Sequence, residues 1–263
     1  MTVFGWLLGR GPRIGVIELH GVLSSRLGSL NAKAIGPVIE RAFRSCKGGH
    51  ILLDIDSPGG SAVQSDLIAG LIRRHAEESR LPVHAVIGEV GASGGYWIAC
   101  AADEIHANAM SIVGSIGVIG GGFGVDRAIA RLGVERRLYT AGVNKARLDP
   151  FSPERPQDVA FVKELLADLH ERFKGWVRSR RAGRLRESEE VIFDGSFFLA
   201  DQALRFGLID GFSDVDQLTR KLGGKKPRVR TFRPRRRRFL GRLPRLMADA
   251  LLDAIEERPA IRF

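Results

Sequence analysis

The stretch "GEVGASGGYWIACAAD", residues Gly88–Asp103, decides the reading of the fold. Before it, "PVHAVIG" (82–88) is apolar and rich in strand-forming residues. After it, small and apolar residues up to about Ala102 read as a helix. Gly91, Gly94 and Gly95 crowd the join, where glycine supplies positive φ and close packing. The unit is therefore strand, tight turn, helix. Its centre, Gly91-Ala92-Ser93-Gly94-Gly95, also spells G-x-S-x-G, the pattern that presents a serine on a sharp strand-to-helix turn. Taken alone, the pattern fits both a plain turn and a nucleophile on one.

A second unit of the same build lies upstream. "HILLDI" (50–55) is a continuous apolar run, suited to a sheet covered on both faces. "DIDSPGGS" (54–61) leads it into a helix, whose expected inner face carries Val63, Leu67, Leu71 and Ile72. Further strands are expected at 14–19, in "EIHAN" and in "VERRLYT" (134–140). Helices are expected over 31–46, 125–132, 156–181, 199–206 and 214–222. Gly114–Gly124 reads as a glycine-rich loop or strand pair. The 156–181 helix carries a stripe from Val159 to Val177 that asks for a core or a partner. Alternating strands and helices predict an α/β domain of repeated β-α units with mostly parallel strands. The expected organisation is an N-terminal segment (1–11), a catalytic-size domain (12–223) and a basic tail (224–263).

The 263 residues are 44% apolar, enough for one large core. Cys46 and Cys100 fit neither a metal motif nor a disulfide framework, which suggests a reducing compartment. "MTVFGWLLGR" is too short and broken for a membrane span or a secretory signal. The expected location is the cytoplasm, with peripheral contact at the inner face of the membrane. The window Lys225–Arg245 holds nine Arg, two Lys and no acid, which equals the whole net charge of +11. The rest of the chain is balanced. Any nucleic-acid reading would rest on the tail alone, where only Phe232 and Phe239 stand in or near the arginine run as aromatic partners, and it is disfavoured. Apolar residues from Phe239 to Ile255 recur at helical spacing, with Pro244 suited to a first turn. The tail is thus expected to be a basic run plus an amphipathic helix. It would lie on anionic lipid, or serve as a solvated linker whose helix packs on another subunit.

A serine that attacks a carbonyl needs a base, preformed N–H donors and a substrate held in line. Donors are at hand: the N–H of Gly94 follows Ser93 at a helix start, and Gly59-Gly60 let a second backbone approach closely. A histidine base is poorly represented. His50, His84 and His106 fall on strands, His75 and His170 on helices, and only His20 is retained as a site-lining residue. A lysine can serve when neutral, which requires desolvation or nearby positive charge. Lys145, in the loop "YTAGVNKARLDPFSP" (139–153), is a candidate, and a solvated loop lysine fits as well.

The blocks "DSPGGS", "GASGGYWIA", "IVGSIGV", "AGVNKARLDPFSP" and "ADQALRFGLIDGF" stand in the order found in signal peptide peptidase A and its SohB-like relatives. Over about residues 12–223 the chain resembles this family of serine–lysine peptidases with a Clp-protease/crotonase-like fold. The resemblance implies Ser93 as nucleophile, Lys145 as general base and Ser115 as the lysine's hydrogen-bond partner. It implies Gly60 and Gly94 as oxyanion donors, a peptide or unfolded-protein substrate, and no metal or other cofactor. It also implies a homo-oligomer, in which one subunit's lysine can serve its neighbour's serine. Two departures stand out. Ala146-Arg147 follow the lysine where the family often has an acid, and Arg147 would favour a neutral amine beside it. "VFGWLL" replaces the membrane anchor of many members. Rival readings are a crotonase-fold acyl-CoA enzyme, an α/β-hydrolase, and a non-catalytic scaffold that binds peptide or lipid.

Overall fold

The computed structural model describes residues 11–224 and 227–234. It divides into two compact units. The first holds residues up to Gly117 and from His170 onward; the second spans Val118–Leu169.

The first unit is built on an eight-stranded sheet. In chain order its elements are β1 (Arg13–His20), α1 (Ala32–Ser45), β2 (His50–Ser57), α2 (Ala62–Ser79), β3 (Val83–Ala92), α3 (Gly94–Ala99), β4 (Glu104–Ala107) and β5 (Ile112–Gly114). The second unit contributes α4 (Asp126–Arg131) and the start of α5 (Pro156–Arg180). The first unit resumes with the end of α5, then α6 (Glu189–Ile192), β6 (Phe197–Leu199), α7 (Ala200–Phe206), β7 (Gly211–Phe212), α8 (Val215–Gly223) and β8 (Arg228–Phe232). The strand order is β6-β5-β3-β2-β1-β8, and every pair is parallel except β5–β6. The expected α/β class with a mainly parallel sheet is what the chain forms.

β3 is the longest strand, and it forks. Its first half pairs with β4, which in turn pairs with β7, and its last three residues pair with β5. The β2–β3 register also slips between Ile55 and Ser57. The fork and the slip lie just before the Ser93 turn, where the sheet opens. Side chains alternate across the strands. Ile14, Val16, Leu52 and Val86 meet Leu218 of α8 on one face. Ile17, Ile51, Leu53, Ile55 and Ala85 are fully buried on the other, the face that alternation assigns to α1–α3. Asn31 caps α1 by accepting from Ala34 N–H at 2.9 Å, and Ser61 caps α2.

Three expectations change. The inner face of α2 is Ser65, Ile68, Ala69, Ile72 and Ala76, while Val63 is 63% and Leu67 48% exposed. Small residues let this helix lie close to its neighbours, and the larger aliphatics turn outward. "VERRLYT" forms no strand, because among the described residues it has no ladder partner. Its arginines bind locally instead: Arg136 to Asp149 at 3.0 Å and Arg137 to Glu135 at 2.9 Å. Finally, the sheet does not stop at Gly223-Gly224. β8, inside the basic window, runs parallel to β1 from Arg13↔Arg228 to Ile17↔Phe232. An exposed edge strand accepts alternating arginines when one anchor is buried, and Phe232 is 1% exposed. The helix expected after Pro244 and the segment 1–10 lie outside the described residues.

Both cysteines are free and buried. Burial pushes the Cys100 thiol up to about 12, so it behaves as an inert apolar group. Among the described residues no helix is long and apolar enough to cross a membrane.

Candidate active site

Ser93 follows the last residue of β3 and precedes the first of α3. Its backbone has φ 54° and ψ −121°, outside the ordinary regions for a residue with a side chain. Such a conformation costs about 1–3 kcal/mol and persists only where its surroundings enforce it. The surroundings do so here. Ser93 N–H donates to Gly114 O at 2.7 Å, and Trp97 N–H donates to Ser93 O at 3.0 Å. The residue is 5% exposed, and its hydroxyl oxygen is buried without a hydrogen-bond partner among the described residues. A buried hydroxyl left unpaired costs about 1–3 kcal/mol.

The loop after β2 closes on this turn. Ser57 Oγ donates to Gly21 O at 2.7 Å and accepts from Gly59 N–H at 3.2 Å. Leu23 N–H donates to Gly59 O, and Ser61 N–H to Leu23 O. This is a parallel bridge between Leu23 and Gly60, and it leaves the Gly60 N–H directed to the side away from Leu23. A β-carbon on Gly59 (φ 97°) would stand 2.7 Å from Gly94 N and 2.8 Å from Ser93 Cβ. A β-carbon on Gly94 would collide with Ser65 Oγ and come within 2.9 Å of a Leu23 methyl. The two glycine turns are therefore in backbone contact, which no other residue type would permit.

Ser115 stands beside them. Ala92 and Gly114 are register partners, so Ser93 and Ser115 are the next residues out from adjacent strand ends. Ser115 also has positive φ (51°), and its N–H donates to Ser196 O at 2.7 Å. α3 is anchored from below. Tyr96 Oη donates to Leu208 O at 2.7 Å. Trp97 stacks on Trp176 with ring centres 5.7 Å apart, and Trp176 Nε1 donates to Trp97 O. Arg180 donates to the carbonyls of Cys100 and Ala102 just past the helix end.

The first unit thus brings Ser93, Gly94, Gly60 and Ser115 to one edge of its sheet. Lys145 belongs to the second unit. It sits exposed in a run of turns after Gly142 (φ 102°), with its N–H on Gly142 O at 3.1 Å. Arg147 is not a free charge beside it. Its guanidinium is 3.2 Å from buried Asp158 and lies over the Phe161 ring at 4.2 Å. His20 ends β1 with Nε2 3.1 Å from Asp54, in a cleft of about 680 Å³ that Asp56, Glu89, Asp214 and Asp216 also line. Ser93 is not among the residues of that cleft. Burial raises the Asp54 carboxyl above its ordinary value, against the pull of His20.

Sequence reasoning missed two supports. Ser57, fully buried, ties the first glycine loop to Gly21, and a serine ahead of Pro-Gly-Gly is the available signal. Arg181, 1% exposed, holds Gly207 O and both oxygens of Asp210. No local pattern marks it.

With the geometry in place, comparisons with known proteins are informative. The model of peptidase family S49 matches residues 75–227. A Brucella abortus protein named Na(+)/H(+) antiporter NhaA is 39% identical over 241 residues, covering 90% of this chain and 33% of that protein. This chain therefore spans a third of that relative's length. A Synechocystis protein that carries a protease name, slr0021, is 31% identical over 218 residues, with 82% of this chain and 76% of that one covered. A solved membrane-bound stomatin-specific protease, a lysine-to-alanine mutant in complex with a substrate peptide, superposes with TM-score 0.51 at 17% identity. That match covers 91% of this chain and 99% of the other, and it establishes likeness of fold.

Proposed function

Because the chain belongs to peptidase family S49, a family of serine peptidases, we propose that it is an endopeptidase of the signal peptide peptidase A type, cleaving peptides or unfolded segments through an acyl-enzyme. Ser93 Oγ attacks the scissile carbonyl and passes its proton to Lys145 Nζ. The oxyanion is received by the N–H groups of Gly94 and Gly60. Lys145 then returns the proton to the leaving amine and activates the water that releases the acyl group. Ser115 Oγ orients the amine.

The observation that carries this reading is the Ser93 hydroxyl itself: buried, unpartnered, on a strained turn, with the Gly59-Gly60 backbone closed against it. A structural serine at such a turn would be expected to spend its hydroxyl on a local acceptor.

A homo-oligomer is part of the proposal. The second unit exposes Phe123 (86%), Tyr139 (89%) and Val143 (91%), apolar area that a second copy could cover. A second copy laid over these residues would also strip water from the Lys145 loop, which is what a neutral lysine needs. The chain would then be one catalytic domain followed by a basic tail. Residues 225–245 would hold it against anionic lipid, each near-surface cation adding about 1 kcal/mol at low screening. Sedimentation with anionic vesicles, absent with neutral ones, supports that placement; equal or no pelleting removes it.

The test of the chemistry is covalent labelling. A fluorophosphonate should add one equivalent to the wild-type protein, at Ser93, and none to Ser93→Ala. Labelling elsewhere, or none in an oligomeric and folded sample, counts against the proposal.

A further inference from the structure

The opposite end of β3 from Ser93 carries a cluster that the peptidase reading does not use. His84 and Glu104 are register partners on β3 and β4, and His106 lies two residues beyond Glu104 on the same face. His84 is nine positions before Ser93, roughly 30 Å along an extended strand. We propose that His84, Glu104 and His106 form a site for one divalent transition-metal ion of the zinc class, bound through His84 Nδ1, a Glu104 carboxylate oxygen and His106 Nε2.

The donor set and its spacing carry the inference. Two imidazoles and a carboxylate, with a fourth position left for water, make a common zinc set. Ligands about 2.0–2.1 Å from a tetrahedral ion stand about 3.3–3.4 Å from one another. His84 Nδ1 is 3.3 Å and His106 Nε2 3.4 Å from the same Glu104 oxygen, and all three donor atoms lie within 4.8 Å. Charge-assisted hydrogen bonds would draw in to about 2.7–2.9 Å. Two of the three edges, those from Glu104 to each imidazole, stand at the edge length of a coordination tetrahedron.

The outer partner of His84 agrees, whereas His106 has none among the described residues. A ligating histidine normally gives its other ring N–H to an acceptor. With Nδ1 on the metal, the His84 proton sits on Nε2, which faces His50 Nδ1 at 3.2 Å. The His106 Nδ1 is buried and finds no partner among the described residues. The histidine side chains are 9% exposed while Glu104 is 51% exposed, so the open position faces solvent. Such an ion would clip β4 to β3, away from the Ser93 turn.

The test uses the full chain stripped with a chelator, then titrated with Zn²⁺ by calorimetry and with Co²⁺ by visible spectroscopy. Wild type should bind one equivalent of each, with the d–d bands of four-coordinate cobalt and no thiolate charge-transfer band. Glu104→Gln, at a half-exposed position, should fold normally and bind at least tenfold more weakly. His106→Gln should do the same, and His50→Phe should weaken binding about 10–100-fold as an outer partner. No binding by wild type, or unchanged affinity in Glu104→Gln, overturns the site. Should the histidine variants fail to fold, the Glu104→Gln titration decides alone.

Discussion

Ser93 donates its backbone N–H to the carbonyl of Gly114 at 2.7 Å. That bond pins the end of β3 to the end of β5 and brings Ser93 and Ser115 off the sheet side by side, both with positive φ. The turn is thus held by backbone on one flank and by glycine contacts on the other.

The glycine flank yields the first prediction. Gly59→Ala would place a methyl 2.8 Å from Ser93 Cβ and 2.7 Å from Gly94 N, at φ 97°. Neither backbone can yield without moving the turn. The variant should lose roughly 1–3 kcal/mol of stability and at least tenfold in fluorophosphonate labelling rate. Labelling at the wild-type rate would mean that the two turns are not in contact.

Arg181 yields the second. Its guanidinium is buried against Gly207 O and the Asp210 carboxylate at 2.7–3.0 Å. Removing Arg181 strands the buried Gly207 carbonyl but leaves Asp210 with Arg184 and the Ile105 N–H, a cost of about 1–3 kcal/mol. Arg181→Ala should fall by that amount in urea unfolding, whereas a loss under 1 kcal/mol would place the pair in water.

Acid sensitivity follows from the same pair. Burial pushes the Asp210 carboxyl up, but the Arg181 hydrogen bonds, the Ile105 N–H and the charges of Arg181 and Arg184 outweigh it and hold it below the usual range. The folded state therefore binds this proton more weakly than the unfolded state. The contribution is complete above the ordinary aspartate value, near about 3.9, and disappears as pH falls through the lowered folded value. Unfolding free energies between pH 7 and pH 3 should fall less steeply below about pH 4 in Asp210→Asn than in wild type. Parallel curves would contradict the linkage.

The orientation of α2 is tested by two truncations. Ile68 is fully buried, and Ile68→Ala should cost about 2–5 kcal/mol. Val63 is 63% exposed, and Val63→Ala should stay within about 0.5 kcal/mol. The reverse order would restore the helix face that residue hydrophobicity alone suggests.

These cases mark what the residues reveal before folding. Continuous apolar runs such as "HILLDI" identify strands buried on both faces, and Gly91–Gly95 identify the turn, because both signals are local. β8 is not legible, since R-V-R-T-F becomes a strand only when β1 offers an edge and the core admits Phe232. α2 misleads because Ala69 and Ala76 are chosen for closeness rather than for apolar area. "VERRLYT" has the composition of a strand but no neighbour to pair with. The site divides the same way. Ser93, Gly60 and Gly94 announce themselves through glycine spacing, whereas Ser57 and Arg181 gain their roles from partners that the fold brings in from far along the chain.

The most direct measurement of the central claim is cleavage of a peptide library by the full-length protein beside Ser93→Ala and Lys145→Ala, with oligomeric state matched across samples. Loss of a nucleophile or its base should slow kcat/KM by roughly hundreds-fold or more in each variant, with similar cleavage positions in any residual activity. Wild-type rates in either variant would contradict the account, because the hydrolysis would then be carried by other groups.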